Sequence, residues 1–190
     1  MSILKLISTL RRKNSMNMYL AGSIFYYADE LRNKEWAEKI RDAFPGVNLY
    51  SPIENTDING TEGKRKSATS IDIVKADNAR LDNTDVLVVC LDGDVIPAGS
   101  ATEIGVMYEK IRRGDHRYIV AITTDNRAAH KTISDAKVEA MKTIGETQVP
   151  YINLYTVGCC KLGGIVVDNI EAAIEYIKSI AHEYGQEFVD

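Results

Sequence analysis

The fold is decided by the stretch Val86-Leu87-Val88-Val89-Cys90-Leu91, which Asp92-Gly93-Asp94-Val95-Ile96-Pro97-Ala98 connects to Gly99-Ser100-Ala101-Thr102-Glu103-Ile104-Gly105. Its first six residues are continuously apolar, which is typical of a parallel strand covered by helices on both faces. Glycine and other small residues then lead into a segment that we expect to be helical as far as Arg113. A buried strand that passes through a loop into a helix indicates a βαβ unit.

Outward from this stretch, apolar strand-like runs alternate with amphipathic helical runs. The predicted strands are Met16–Ala21, Val47–Tyr50, Val86–Leu91, Tyr118–Ile122 and Ile165–Val167. The predicted helices are Tyr26–Phe44, Ile71–Asn83, Gly99–Arg113, Ser134–Ile144 and Ile170–Tyr184, and the pattern gives no element for residues 145–164. This order predicts an α/β protein: a flavodoxin-like or Rossmann-like three-layer sandwich around a mostly parallel five-stranded sheet.

Helical spacing predicts which apolar side chains face the core. In the first long helix these are Leu31, Trp36, Ile40 and Phe44, and in the second they are Ile71, Val74 and Leu81. Between the second strand and the second helix, residues 55–70 are polar and show no periodicity. This is the longest predicted loop, and long loops in compact domains are often functional.

A chain of 190 residues has the length of one domain. We divide it into an N-terminal arm, residues 1–15, and a single α/β domain, residues 16–190. The arm has apolar residues at helical spacing followed by cations, which is the reverse of the order in a signal peptide. Two interpretations stay open: the arm packs on the domain or a neighbouring subunit, or the fold begins at Met16 or Met18.

Composition excludes several classes of protein. With 23 Lys and Arg against 27 Asp and Glu, the net charge is −4, which gives no general attraction to nucleic acid or to an anionic membrane. No run approaches the roughly 18 apolar residues of a membrane helix. Three cysteines, two of them adjacent, favour a reduced, cytoplasmic protein. The three histidines lack metal-ligand spacing, and both common nucleotide-binding glycine motifs are missing, so we expect neither a metal nor a cofactor.

Ligands of parallel sheets bind beyond the carboxyl ends of the strands. Here that edge includes the turn after Ala21, the segment after Tyr50 and the segment after Leu91. Glu103 follows the last of these, among small residues that leave room for a substrate, so it is a candidate nucleophile for an electrophilic carbon. The plainer interpretation is an acid that complements a helix dipole.

Glycosyl chemistry needs a second acid. The candidates lie on or just after the predicted second helix, and the residues alone do not rank them: they are Asp72, Asp77, Asp82 and Asp85.

Five segments, in the same order along the chain, resemble the nucleoside 2-deoxyribosyltransferase family. They cover about Tyr19 to Tyr176 and leave out the N-terminal arm. The segments are Tyr19–Phe25, Tyr50–Asn55, Asp77 with Asn83–Val89, Leu91–Gly93 with Gly99–Gly105, and Tyr151–Gly158, which matches a later loop of the family.

The resemblance implies a chemistry and a set of roles. Glu103 would attack the anomeric carbon of a 2′-deoxynucleoside, Asp77 would exchange a proton with the base, and Tyr19 would orient the nucleophile. Asn153 would come from a neighbouring subunit of a homo-oligomer and contact the 5′ end of the sugar. The remaining candidate substrate-binding residues are Gly22, Phe25 at the base or sugar, Asn55 in the base pocket, Asp92, Gly99 and Ser100.

One position departs from the family pattern. Six residues before the nucleophile, where the transferases carry an aspartate for the 5′-hydroxyl and related nucleotide hydrolases carry a serine, this chain has Pro97. One alternative to a transferase therefore stays open: an N-glycosidase that acts on a 2′-deoxynucleoside 5′-monophosphate or a nucleoside. Because a fold does not fix a function, a non-catalytic nucleotide-sensing module on the same fold is a further alternative.

Overall fold

The computed structural model describes residues 15–55, 68–125, 134–146 and 152–189, and within them five strands form one sheet. The strand order is β2-β1-β3-β4-β5, and every pairing is parallel. The strands are β1 (Asn17–Ala21), β2 (Asn48–Tyr50), β3 (Val86–Cys90), β4 (Tyr118–Ile122) and β5 (Gly164–Val167). The predicted α/β fold with a parallel five-stranded sheet is confirmed.

Helices cover both faces of the sheet. The helices of the described residues are α1 (Tyr27–Ala43), α2 (Ser70–Leu81), α3 (Ala98–Arg112), α4 (Asp135–Ala140), α5 (Leu154–Gly163) and α6 (Ile170–Ala181), and all but α4 contribute side chains to the cores. Short 3₁₀ turns follow β2, at Pro52–Glu54, and α6, at His182–Tyr184. The core on one face contains side chains of α1 and α6, and the core on the other contains side chains of α2, α3 and α5.

Strand β3 lies at the centre of both cores. All five of its residues are buried, and they alternate between the two faces. Val86, Val88 and Cys90 pack with the α1 and α6 layer, while Leu87 and Val89 pack with the opposite layer. A strand that is covered by helices on both faces needs apolar residues at every position, which explains the continuous apolar run that suggested the fold.

The predicted inward positions hold in part for both helices: Trp36, Ile40 and Phe44 are buried for α1, and Leu81 is buried for α2. Leu31 is 49% exposed, Ile71 is 62% exposed and Val74 is 57% exposed, so these three predictions are wrong. Helical spacing identifies a shared face but not what covers it, and α2 approaches the core chiefly through Leu81 at its last residue. Because most of α2 lies away from the sheet core, it can extend over the carboxyl edge.

Helix α5 has no counterpart among the predicted elements. It begins where Asn153 caps it, with the Asn153 side chain accepting a hydrogen bond from the backbone of Thr156. The family-like segment that ends at Gly158 is therefore helical from Leu154 onward, and not a loop. Cys159 and Cys160 of α5 are buried in the core, where burial raises the pKa of both thiols.

Several predictions lie outside the described residues. These are most of the N-terminal arm (residues 1–14), most of the long loop (residues 56–67) and Tyr151. Within the described ranges, no helix has the length and apolar character that crossing a bilayer requires.

Gly164 at the start of β5 is predicted to be essential for packing. A Cβ atom at Gly164 would collide with the backbone carbonyl of Ile119 on β4, and backbone cannot move aside as a side chain can. Gly164→Ala should therefore lower the free energy of unfolding by about 3 kcal/mol, the upper end for overpacking, as measured by urea denaturation. Gly158→Ala on α5 is the matched control, since a Cβ there meets no atom within 4 Å. Equal stability of the two variants would contradict the prediction.

Candidate active site

The site is built around the side chain of Tyr19, which is fully buried in β1. Its hydroxyl donates a hydrogen bond of 2.6 Å to Oε1 of Glu103, on the second turn of α3. An O–H···O⁻ bond of this length is characteristic of a charged acceptor. The buried phenol therefore fixes the position of the carboxylate relative to the sheet.

Asp77 of α2 lies close to the same two side chains, at the carboxyl ends of β1 and β2. The hydroxyl of Tyr50, at the end of β2, lies 3.4 Å from Oδ1 of Asp77. The Tyr50 hydroxyl also accepts a 3.0 Å hydrogen bond from the side-chain amide of Asn55. The rings of Tyr19 and Tyr50 pack with their centres 5.0 Å apart. Two carboxyl groups and two phenols thus form one connected cluster.

The two acids carry raised pKa values. Burial is the main cause for Glu103, with a further rise from the nearby charge of Asp77, and the hydrogen bond from Tyr19 opposes both. For Asp77 burial again raises the pKa, against the hydrogen bonds from Tyr50 and Tyr19. Burial and the charge of Glu103 raise the pKa of Tyr19 far above its ordinary value, so this phenol stays a proton donor. When two acids lie this close in buried surroundings, ionisation of both is disfavoured, and the state with one proton on the pair is favoured.

Side chains of α1 stabilise the turn after β1. Arg32 and Asn33 each donate a 2.9 Å hydrogen bond to the carbonyl of Ser23. Gly22 must be small, since a Cβ there would lie 3.2 Å from the Cβ of Cys90. The turn then presents Phe25 to solvent with 82% of its surface exposed.

The other predicted residues take different positions around this edge. Gly99 and Ser100 form the first turn of α3; Ser100 is buried, and a Cβ at Gly99 would meet no atom within 4 Å. Both carboxylate oxygens of Asp92 accept hydrogen bonds of 2.7 Å from Thr124, one from its backbone and one from its hydroxyl. Asp92 therefore ties the loops after β3 and β4 together.

Hydrogen bonds connect only part of the predicted set. They join Tyr19 to Glu103, and they join Asn55 to Asp77 through Tyr50. The hydrogen bonds of Asp92 and Asn153 go instead to Thr124 and Thr156. Pro97 occupies the N-cap position of α3 and supplies no side-chain hydrogen bond there.

The sequence interpretation missed the part played by Tyr50. The segment after Tyr50 was identified as a site edge, but the residue itself was assigned no role. The register pairs it directly with Tyr19, and the side chains of directly paired residues project to the same face of a sheet. Once Tyr19 is placed in the site, this pairing is the signal that could have identified its neighbour.

Metal binding finds no support in the described part of the chain. There, no group of three or more His, Cys, Asp or Glu side chains is placed to hold a metal ion.

Comparison with known proteins gives the family. The chain matches the model of the nucleoside 2-deoxyribosyltransferase family over residues 18–173, and it belongs to that family. A conserved protein from Enterococcus faecalis V583 is 39% identical, with a TM-score of 0.77, over 87% of this chain and 98% of its own. A 2-desoxiribosyltransferase from Leishmania mexicana shares the fold at 17% identity, with a TM-score of 0.55, over 86% of this chain and 97% of its own. A search of curated proteins found no match.

Removing the charge of Glu103 is predicted to stabilise the protein at neutral pH. Because its pKa is raised on folding, the protonated form is favoured in the folded state, and stability is lost as the pH rises through the folded pKa. Glu103→Gln stays neutral and avoids this loss. Its melting temperature at pH 7 should exceed that of the wild type by about 2–4 °C, the shift that about 1 kcal/mol gives in a domain of this size.

The advantage should disappear at acidic pH, where Glu103 of the wild type is itself protonated. Calorimetry across the pH range measures this. Glu175→Gln, which changes an exposed acid on α6, is the control and should show no such pH-dependent gain. A Glu103→Gln variant less stable than the wild type at pH 7 would contradict the prediction.

Proposed function

We propose that the protein is a nucleoside 2-deoxyribosyltransferase that exchanges the base of a 2′-deoxynucleoside for another free base, as a step in nucleoside salvage. The observation that carries the proposal is the 2.6 Å hydrogen bond from the buried Tyr19 to Glu103, with Asp77 beside it. Membership of the family supports the class of reaction. The site residues supply what a double displacement at an anomeric carbon requires, without a cofactor.

In the first half-reaction, a carboxylate oxygen of Glu103 attacks C1′ of the deoxyribose. The bond between C1′ and the base nitrogen breaks, and its electron pair leaves with the base. Protonated Asp77 gives its proton to the departing base, so the base leaves as a neutral molecule. The product is a deoxyribosyl ester of Glu103.

In the second half-reaction, a nitrogen of the incoming base attacks C1′ on the side that the first base left. The ester bond between C1′ and Glu103 breaks and the glutamate becomes a carboxylate again. Asp77, now ionised, takes the proton that the incoming nitrogen loses. Two inversions give net retention at C1′.

The hydrogen bonds support this assignment of the two acids. Glu103 receives the short bond from Tyr19, which favours its ionised, nucleophilic form. Asp77 receives a longer bond, 3.4 Å, from Tyr50, and is therefore the easier of the two to keep protonated. Burial raises the pKa of both acids, so under this proposal the different hydrogen bonds decide which acid keeps the proton.

The remaining assignments complete the site. Gly22, Gly99 and Ser100 leave space for the sugar, Phe25 covers the base or sugar, and Asn55 borders the base pocket. Asn153 of a neighbouring copy in a homo-oligomer contacts the 5′ end of the sugar. We place the catalytic domain in residues 16–190 and the enzyme in the cytoplasm.

A second candidate function is hydrolysis of the N-glycosidic bond, with water in place of the second base. Pro97 favours it, because this N-cap position offers no side-chain donor or acceptor to a 5′-hydroxyl. Asp92 is a substitute only if its two bonds to Thr124 are given up. The substrate of this alternative is a 2′-deoxynucleoside 5′-monophosphate or a nucleoside.

Transfer and hydrolysis are separated by the products. Incubation with 2′-deoxyinosine and free adenine or cytosine should give hypoxanthine and the new deoxynucleoside, which liquid chromatography resolves. Release of free deoxyribose without a new nucleoside would instead show a hydrolase. Replacing 2′-deoxyinosine by its 5′-monophosphate then tests the substrate class, and we expect the free nucleoside to react faster.

The nucleophile is tested by substitution and by trapping. Glu103→Ala should lower the transfer rate by at least about 10³-fold, because the covalent route is lost. Mass spectrometry of the wild type, quenched with acid during turnover, should show deoxyribose added to the peptide that contains Glu103. A variant that changes only ligand affinity, with no trapped sugar in the wild type, would indicate the sensing module.

A further inference from the structure

We propose that Tyr50 is a positioning residue for Asp77, and that Asn55 directs the Tyr50 hydroxyl toward it. The inference deepens the proposed function, since it rests on Asp77 as the residue that exchanges a proton with the base. It assigns a separate phenol to each acid: Tyr19 to Glu103 and Tyr50 to Asp77.

The direction of the hydrogen bonds carries the argument. A phenol has one proton to donate, together with oxygen lone pairs that accept. The amide nitrogen of Asn55 donates to the Tyr50 oxygen at 3.0 Å, which occupies an accepting site. The Tyr50 proton then points to Oδ1 of Asp77, 3.4 Å away. Donation to the phenol oxygen polarises its O–H bond and makes it a better donor to the carboxylate.

The ring of Tyr50 is held from two sides. One side packs against the Tyr19 ring at 5.0 Å, and the guanidinium of Arg80 lies 4.9 Å from the ring centre. The backbone of Tyr50 is fixed by its pairing with Tyr19 in the sheet. A side chain with so little freedom can hold Asp77 in one orientation as α2 passes over the edge.

Asp77 must serve both as an acid and as a base within one cycle. A donor that reaches it stabilises the carboxylate left after proton release and keeps the pKa of Asp77 from rising further with burial. The groups that face Asp77 are Tyr50 from β2, Tyr19 from β1 and Glu103 from α3, with Arg80 on its own helix behind the Tyr50 ring. Burial raises the pKa of Tyr50, so it acts as a donor and not as the base itself.

Tyr50→Phe tests the inference because it keeps the ring and removes only the hydroxyl. Asp77 should then titrate at higher pH, since its ionised form loses a donor. Capture of the incoming base, which needs the carboxylate, should slow by about 10-fold on the acidic side of the optimum, the size expected for one hydrogen bond to a charged group. The effect should fall on kcat and on the pH profile, with KM for the base little changed.

Tyr118→Phe is the matched control. It also removes a tyrosine hydroxyl that donates to a carboxylate, in this case that of Glu183. Tyr118 lies at the start of β4, at the amino ends of the strands and away from the site. The pH profile of this control should equal that of the wild type. A Tyr50→Phe profile equal to the wild type, or one moved to lower pH, would overturn the inference.

A measurement without turnover separates this inference from the proposed function. Carbon-13 NMR titration of the side-chain carboxyls, with Asp77→Asn to identify the Asp77 signal, should show the pKa of Asp77 higher in Tyr50→Phe than in the wild type. That result supports the hydrogen-bond chain even if no transfer is detected, and an unchanged pKa refutes it even if transfer is confirmed.

Asn55→Ala is the second variant, and it keeps the test decisive if Tyr50→Phe does not fold. Because it removes the bond that directs the Tyr50 hydroxyl, it should raise the pKa of Asp77 in the same direction but by less. A pKa of Asp77 that stays unchanged or falls in Asn55→Ala would refute the role given to the amide.

Discussion

The hydrogen bond from Tyr19 to Glu103 depends on the register of the parallel sheet, and the rest of the site is arranged around it. In β1, Tyr19 pairs with Tyr50 on one side and Leu87 on the other, so it faces the layer that contains α3. A shift of one residue would turn it to the opposite face, toward α1 and α6. In the observed register, Leu87 and Val89 of β3 pack with Tyr19 in the same core, which also contains side chains of α2, α3 and α5. Packing of the core therefore places the hydroxyl of Tyr19 beside Glu103.

Sequence patterns predicted those elements whose burial alone decides their structure. Strands β3 and β4 are apolar throughout because both of their faces are covered, and α6 is amphipathic because only one of its faces is covered. The errors occur where a covering partner must be known. Ile71 and Val74 have helical spacing, yet α2 leaves them exposed because its start extends beyond the sheet core. Helix α5 was missed because its first two turns mix aromatic, β-branched and glycine residues, so no apolar stripe marks it. Its start also depends on the cap at Asn153.

In the candidate site, too, some residues could be predicted from the sequence and others could not. The residues themselves suggested Glu103, since it follows a buried strand among small residues, but they could not rank the acids near α2. Asp77 was selected by resemblance to the family, and the structure now gives a physical reason: it is the acid that reaches the phenols of β1 and β2. Tyr50 becomes identifiable only once its pairing with Tyr19 in the sheet is known, because its contact with Asp77 joins a strand end to a helix that is distant in the sequence.

The departure from the family pattern at Pro97 lies apart from the contact between Tyr19 and Glu103. Pro97 lies at the N-cap of α3, while Glu103 lies on the next turn and is held by Tyr19 from the sheet. A proline at an N-cap or first helical position keeps the helix start intact, because the N–H that it lacks has no partner within the helix. The proline therefore leaves the hydrogen bond from Tyr19 to Glu103 in place, and under the proposed function it changes what the loop after β3 offers to the 5′ end of a sugar. Under the proposed mechanism, catalysis and recognition of the 5′ end reside in separate elements, so the family can vary the second without rebuilding the first.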